Sequence, residues 1–557
     1  MQQMIVLIVS ALVGLGGVGC AAEGWRDFAV ATVHPLASEA ALQVRREGGN
    51  AVDAAVAAAL VLGVVDGHNS GLGGGALVVL RTAKGEVIAL DGRELSPRRA
   101  SPQMYRRNGE LDEEASKSGA LAVAVPGALR AYELMLEKHG SKTMAEILAP
   151  IIRLAREGFA IDGVYARKLQ AHAAKLRLHS PSQKQFFRSD GSPLREGDRL
   201  VQEDLARSLE AIAQQGSQWF YHGRYAQQVE AWMRAHGGLL DAGDFAQYEA
   251  KWREPLRATY RGVEVVAMPP PSSGGVHVLQ MLEMLERFDL RSMAAGPRAH
   301  VLAESMKLAF ADRAHWLGDP DHASVPRGLL DAQYLQGLSA RIDEQKVGSV
   351  PSHGMPPRWQ DDVFGKHTTF LCTADKQGNW VAINQTVNTA FGSKVIVPGT
   401  GIILNNEMDD FALAPGVANA FGLVGAEANA VGPRKRPLSS MSPTLLLREG
   451  RPWLVTGAAG GPTIITQVLQ LIIGCVDLGL SPQEALLLPR VHHQWRPSAL
   501  KVEDLLPKEA QQHLRQLGHQ LEVGMPFGAC QAIGLAPNGK SMLPAHDPRI
   551  PGLAAGR

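Results

Sequence analysis

The chain has 557 residues, and its 56 Lys and Arg nearly cancel 55 Asp and Glu. It is 45% hydrophobic with only 4 Cys. So apolar and so weakly charged a chain can bury its own core, which excludes a disordered protein. The same numbers exclude a strongly basic nucleic-acid-binding domain and a disulfide scaffold. A prior of roughly 150 residues per domain allows three or four domains, but large folds of mixed helix and strand also run as one unit.

Residues 4–18 form an apolar run that ends in the small residues Gly17-Val18-Gly19-Cys20-Ala21-Ala22. The run is shorter than the roughly 20 residues that span a bilayer and matches a secretory signal, although Met1-Gln2-Gln3 lacks the usual basic residue. The reading is periplasmic or secreted. Cys20 follows small residues as in a lipoprotein box, with Gly17 in place of the usual Leu. Lipid attachment at Cys20 and plain cleavage near Ala21 or Ala22 are both open. Gly14-Leu15-Gly16-Gly17-Val18-Gly19 has the form of a dinucleotide fingerprint but lacks the strand and helix that make one.

Helices are expected over 35–47 and 51–65, the second apolar on all sides and therefore packed on both faces. The loop 66–75 ends in Gly71-Leu72-Gly73-Gly74-Gly75, and strands over 76–81 and 87–91 flank a turn. Residues 126–340 read as mostly helical, with a strand over 263–267 that stops at Met268-Pro269-Pro270-Pro271. Residues 351–362, rich in Pro, Gly, Arg and Asp, read as an exposed linker. A β run follows over 367–374, a turn over 375–379 and a return strand over 380–387. Further strands are expected over 401–404, 444–447 and 453–456. Gly460-Gly461 then opens a helix over 463–478. Runs of strands mixed with helices suggest stacked sheets between helix layers.

Cys372, Cys475 and Cys530 sit in apolar surroundings and read as buried free thiols. No zinc-protease, P-loop, nucleophile-elbow or paired C-x-x-C motif is present, and no metal or organic cofactor is implied. His492-His493 reads as structural, because adjacent side chains converge poorly on one ion. Asn384-Gln385-Thr386 has the form of a glycosylation sequon but lies inside an expected strand. Two backbone N–H groups at Gly460-Gly461, just before a helix, are suited to a developing oxyanion.

Several motifs in order carry a resemblance: Glu47-Gly48-Gly49-Asn50-Ala51-Val52-Asp53, Asp91-Gly92-Arg93-Glu94, Pro271-Ser272-Ser273-Gly274-Gly275, Asn405-Asn406-Glu407-Met408-Asp409-Asp410, Lys435-Arg436-Pro437-Leu438-Ser439-Ser440-Met441-Ser442-Pro443-Thr444 and Gly460-Gly461. Together they resemble the gamma-glutamyltranspeptidases of the N-terminal nucleophile hydrolase superfamily. The resemblance implies an α+β fold, a four-layer αββα sandwich. It implies a precursor that cuts itself between His367 and Thr368. Residues 1–22 would be the signal, 23–367 the large subunit and 368–557 the small one, forming one catalytic unit over 23–557.

The resemblance makes Thr368 the nucleophile, with Thr386 bonded to it. The chemistry is sound, because an α-amino group titrates near about 8, well below a lysine, and can take the hydroxyl proton on the same residue. Before cleavage that amine is an amide. By the same resemblance, Arg93 meets the glutamyl α-carboxylate and Glu407 and Asp410 meet its α-amine. Asn388, Ser439 and Ser440 add neutral hydrogen bonds, and Gly460 and Gly461 form the oxyanion site. Pro415-Gly416-Val417-Ala418-Asn419-Ala420-Phe421-Gly422 matches the lid, with Phe421 where bacterial relatives usually carry Tyr. Phe370 stands where the family often has His.

The implied substrates are glutathione and other γ-glutamyl compounds, with water, amino acids or dipeptides as acceptors. Two alternatives remain: a glutaryl-type β-lactam acylase of the same superfamily, and a binding protein that keeps the fold without maturing.

Overall fold

The computed structural model describes residues 24–357, 370–414 and 416–557. The signal-like segment with Cys20, the cleavage pair His367 and Thr368, and Pro415 lie outside the described residues.

The first elements are strand β1 (Phe28–Thr32), helix α1 (Pro35–Arg46) and helix α2 (Ala51–Val65). Helix α2 starts where the Asn50 side chain accepts from the N–H groups of Val52 and Asp53, while Asp53 reaches back to Asn50 N at 2.8 Å. This capping box satisfies orphan donors of the first turn. Asp53 also accepts from Ser141 and Lys142, so one buried carboxylate organises two chain segments. Every residue of α2 but Gly63 is buried, as its all-round apolar character demands.

Strands β2 (Gly75–Arg81) and β3 (Val87–Gly92) follow, then α3 (Ala128–His139), α4 (Met144–Glu157) and α5 (Gly163–Leu176). Strands β4 (Lys251–Arg253), β5 (Leu256–Tyr260) and β6 (Val263–Ala267) precede helices α6 (Ser273–Leu285) and α7 (Ala295–Trp316). Past residue 370 come β7 (Leu371–Asp375), β8 (Trp380–Thr386), β9 (Thr444–Arg448), β10 (Arg451–Ala459), α8 (Thr463–Val476), β11 (Ala529–Leu535), β12 (Met542–His546) and β13 (Leu553–Gly556).

Two antiparallel sheets result, one in the order β13-β1-β7-β8-β2-β3-β4 and one in the order β12-β11-β10-β9-β6-β5. Their strands are apolar on both faces, and the period of two splits each into two sets. On β2, Leu77 and Val79 point between the sheets, while Val78 and Leu80 point at the helices. Val266, Leu445, Val455 and Ile533 complete the inter-sheet layer from the other side. Helices α2 and α3 cover the first sheet with α4 packed on α2, and α6 and α8 cover the second with α7 packed on α6. This is the expected four-layer αββα sandwich. Phe370 is wholly buried between the sheets, and Gly457 makes room for it: a Cβ there would lie 2.3 Å from the Phe370 ring.

The three cysteines are buried free thiols, as expected. His492 and His493 are structural: His492 Nδ1 lies 3.0 Å from Thr466 Oγ1, and His493 accepts from Trp495 N. One expected strand is absent. Residues 401–404 form only a lone bridge, Ile403 to Ile396. Gly401 has φ 65°, and a Cβ there would lie 2.2 Å from Leu205 N, so the chain turns against a helix instead of extending. Among the described residues, no helix is long and apolar enough to cross a membrane.

Candidate active site

A cavity of about 410 Å³ lies where the two sheets meet the chain segments leaving them. Its lining includes Thr386, Asn388, Glu407, Asp410, Phe421, Gly460 and Gly461. The sheets explain the convergence. Trp380 and Ala382 of β8 face the other sheet, and Asn384 follows in the same alternation, its Nδ2 donating to Ala458 O of β10 at 3.0 Å. Thr386 ends β8 two residues later, and Gly460 follows the last residue of β10.

Asn388 N donates to Thr386 Oγ1 at 2.7 Å. Asn388 takes φ 73°, a left-handed conformation that Asn tolerates better than most residues. Its Nδ2 donates to Asn406 O at 2.9 Å, which ties β8 to the 3-10 turn Glu407–Asp410. Asn405 anchors that turn from behind. Its Oδ1 accepts from Ala124 N and Glu407 N, and its Nδ2 donates to Gly73 O at 2.7 Å.

Arg93 does not line the cavity. It is wholly buried behind the acids, where its Nη2 donates to Asp410 Oδ2 at 2.8 Å and its Nη1 contacts Glu94 and Glu407. The expectation set Arg93 and the two acids on different groups of a ligand; in the structure they pair with each other. Three carboxylates around one guanidinium cannot all ionise cheaply in a buried site. Burial, with neighbouring acids adding to it, pushes Glu407 well above the usual carboxylate range, and burial also raises Glu94. Glu94 Oε1 and Glu407 Oε2 have no hydrogen-bond partner among the described residues. Arg93 is itself held by its carbonyl, which accepts from Tyr248 Oη and Arg436 Nη1.

Ser439 and Ser440 also stand back from the cavity. Ser439 O accepts from Ser273 N and Ser273 Oγ, which joins the two serine motifs. The buried Ser440 Oγ has no partner among the described residues.

Gly460 and Gly461 have φ 129° and 59°, and α8 begins at Thr463. Neither glycine N–H donates to a described residue. Two free donors at a helix start form a site for negative charge. The Phe421 ring covers it: a Cβ on Gly461 would lie 2.7 Å from that ring. Three bonds hold the segment carrying Phe421 down. Asn419 Nδ2 donates to Asp410 Oδ1 at 3.1 Å, Ala420 N to Asp409 Oδ2 at 3.0 Å, and Gln494 Nε2 to Phe421 O at 3.3 Å. Burial pushes Asp409 up to about 6, against the Ala420 N–H bond that lowers it.

The family model described as Gamma-glutamyltranspeptidase matches residues 37–557. The chain belongs to the gamma-glutamyltranspeptidase family. A glutathione hydrolase proenzyme of Escherichia coli (strain K12) is 40% identical over 95% of this chain and 91% of its own length. An acylase ACY 1 proenzyme of Pseudomonas sp. (strain SE83) is 37% identical over 93% and 91%. A solved cephalosporin acylase from Bacillus halodurans superposes with a TM-score of 0.87 at 29% identity, covering 98% of each chain. Gamma-glutamyltranspeptidase membership and acylase likeness therefore coexist, and the site has to separate the two activities.

Asn405 and Asn406 stood in a recognised motif, but their role in positioning this site was not read from the sequence, nor was one wall of the cavity. Asn69, Lys168, His172 and Thr389 belong to it, while Gly528 and Ala529 line the cavity beside Gly460 and Ala459. The spacing of Lys168 and His172, one helical turn apart, was the available signal. Away from the site, His300, Glu304 and His519 bring ligand-type atoms within 4.8 Å of one another. That cluster is already engaged: His300 bonds to His519 and to Asp343 O, and Lys307 Nζ lies 2.8 Å from Glu304 Oε1.

Proposed function

We propose that the protein is a γ-glutamyltransferase and glutathione hydrolase that matures by cutting itself between His367 and Thr368. One observation carries the reading: two buried acids, Glu407 and Asp410, share a cavity with two N–H groups at Gly460-Gly461 that donate to no described residue. The acids suit an ammonium group. The N–H pair suits the oxyanion of acyl transfer. The likeness to a protein named glutathione hydrolase proenzyme supports both the substrate and the precursor.

Strand β7 starts beside Ile383, and Thr386 lies three residues further along β8, so the chain enters the sheet at the cavity end. Thr368, just before that strand, supplies its hydroxyl to the γ-carbonyl and passes the proton to its own α-amine. The C–N bond breaks, the proton leaves with the departing amine, and a glutamyl ester remains on Thr368. Water or the amine of an amino acid or dipeptide then attacks the ester and restores the hydroxyl. The ligand's α-ammonium takes the place of part of the Arg93 charge on Glu407 and Asp410. Its α-carboxylate takes up the freed guanidinium donors and the Ser440 hydroxyl.

The acylase likeness makes glutaryl transfer the second reading. A glutaryl group has no α-ammonium, so it would leave Glu407 and Asp410 without a counter-charge in a buried site. Comparing γ-glutamyl-p-nitroanilide with glutaryl-p-nitroanilide decides between them; equal or faster glutaryl turnover overturns the first. On a denaturing gel the wild type is expected as two bands and Thr368→Ala as one. A full-length, uncut wild type that still binds glutathione would support the non-maturing binding protein. The signal-like run 4–18 supports export to the periplasm or beyond, which fractionation of expressing cells checks.

A further inference from the structure

The cavity has two chemically different walls. One carries Glu407, Asp410 and the Gly460-Gly461 donors, and the other carries Lys168 and His172 of α5 with Asn69 and Thr389. Lys168 and His172 are four residues apart, so both lie on one face of the helix. From this juxtaposition we propose that the second wall is a carboxylate subsite for the peptide half of the substrate. Lys168 there holds the C-terminal carboxylate of the acceptor dipeptide, or of the peptide that leaves when the γ-glutamyl bond is cut. The inference rests on the γ-glutamyl transfer reading above and assigns a part of the site that the glutamyl group does not use.

The charge pattern around Lys168 supports it. The neighbouring cations are already engaged: Lys394 Nζ donates to Thr389 Oγ1 and Gly392 O, and Lys175 pairs with Glu114. Lys168 makes no ion pair with a described residue. The groups near it carry little charge at neutral pH. Burial pushes His172 down to about 4 and His68 down to about 3, and raises Asp66 to about 8. The remaining nearby acid, Asp162, is used as a helix cap, accepting from Tyr165 N at 2.7 Å. Lys168 therefore lines the cavity without an ion pair to any described residue, Asp162 being turned to its cap. His172, neutral and edge-on to Phe391, offers a ring nitrogen beside it. A glutamyl group held at Glu407 and Asp410 with its γ-carbonyl at Gly460-Gly461 leaves Lys168 and His172 as lining groups open to whatever lies beyond the amide. A dipeptide spans about 7 Å, since each extended residue advances at most about 3.6 Å.

The test uses the processed enzyme with γ-glutamyl-p-nitroanilide as donor and two acceptors, glycylglycine and glycylglycinamide, which differ only in the carboxylate. The measured quantity is the ratio of their kcat/KM values. In the wild type the ratio favours glycylglycine. In Lys168→Ala it falls about 5- to 20-fold, the range for losing one charged hydrogen bond at a partly wet site. Lys168→Glu lowers it further, and Lys168→Arg restores most of it. Lys168 is exposed on its helix, so these variants are expected to fold. A wild type without preference, or a ratio unmoved by Lys168→Ala, overturns the subsite alone. A wild type that releases no p-nitroaniline overturns the transfer reading and the subsite with it.

Discussion

Phe421 lays an aromatic ring over the Gly461 donor but brings no hydroxyl to bond across the cavity. The backbone around it makes the closing contacts instead, through Asn419, Ala420 and the Phe421 carbonyl. As the lid the family resemblance implies, a segment fastened this way excludes less water than one with an added side-chain bond. Phe421→Tyr is therefore expected to raise the ratio of transfer to hydrolysis by about 2- to 5-fold, the effect of roughly one weak hydrogen bond. Initial rates of glycylglycine adduct and free glutamate measure it, and an unchanged ratio sinks the idea. At this scale the sequence was informative about identity and silent about pairing. Arg93, Glu407 and Asp410 were each recognisable in their motifs. Their mutual ion pairs were not, because residues more than 300 apart in sequence meet only when both sheets are built.

The 3-10 turn Glu407–Asp410 and the lid are coupled elements, joined through Asp409, which accepts from Ala420 N and Ser116 Oγ. Its carboxyl stands at about 6, above the unfolded value of about 3.8. An acid raised on folding holds its proton more tightly in the native state. Its contribution to stability is complete below about pH 3.8 and is lost as pH rises through about 6. Asp409→Asn, which stays neutral, is expected to remove that loss. Its Tm relative to wild type should climb between pH 4 and 6 and stay higher at pH 7. A Tm difference that does not change with pH over this range refutes the coupling.

Elements with strong local signals were legible in the sequence. The apolar helix 51–65 and the strand 263–267 have the expected bounds, since a capping Asn and a proline run mark their ends. Strands β1 and β11 were not foreseen. Both are buried on both faces, so they lack the alternation that marks a strand. The segment 401–404 misled for the opposite reason. Its apolar residues look extended, but Gly401 turns them into a helix contact.

The whole molecule interleaves the two proposed subunits. In the first sheet, β1 from the large part pairs on one side with β7 and on the other with β13, both from the small part, and β8 pairs with β2. In the second sheet, β6 pairs with β9 across the same division. A cut at residue 367 therefore breaks one peptide bond and none of these ladders. The processed protein is expected to elute as one species near the mass of the uncut chain on size exclusion, and to separate only in denaturant. Two native peaks would show that the sheets do not hold across the cut. Mutual completion of sheets is the least legible level, because it depends on strand pairs that close over the full length of the chain.

The pairing of β1 with β13 also puts residues from the two ends of the described chain side by side, with Arg557 O accepting from the N–H groups of Asp27 and Phe28. Topologically the fold is a ring with a narrow gap at those ends. A short linker could bridge that gap, and the ring could be opened between His367 and Thr368 instead. Such a circular permutant would be translated with Thr368 next to its initiator methionine. Removing that one methionine would then free the amine of the proposed nucleophile, so the proposed self-cutting step could be bypassed and studied apart from catalysis.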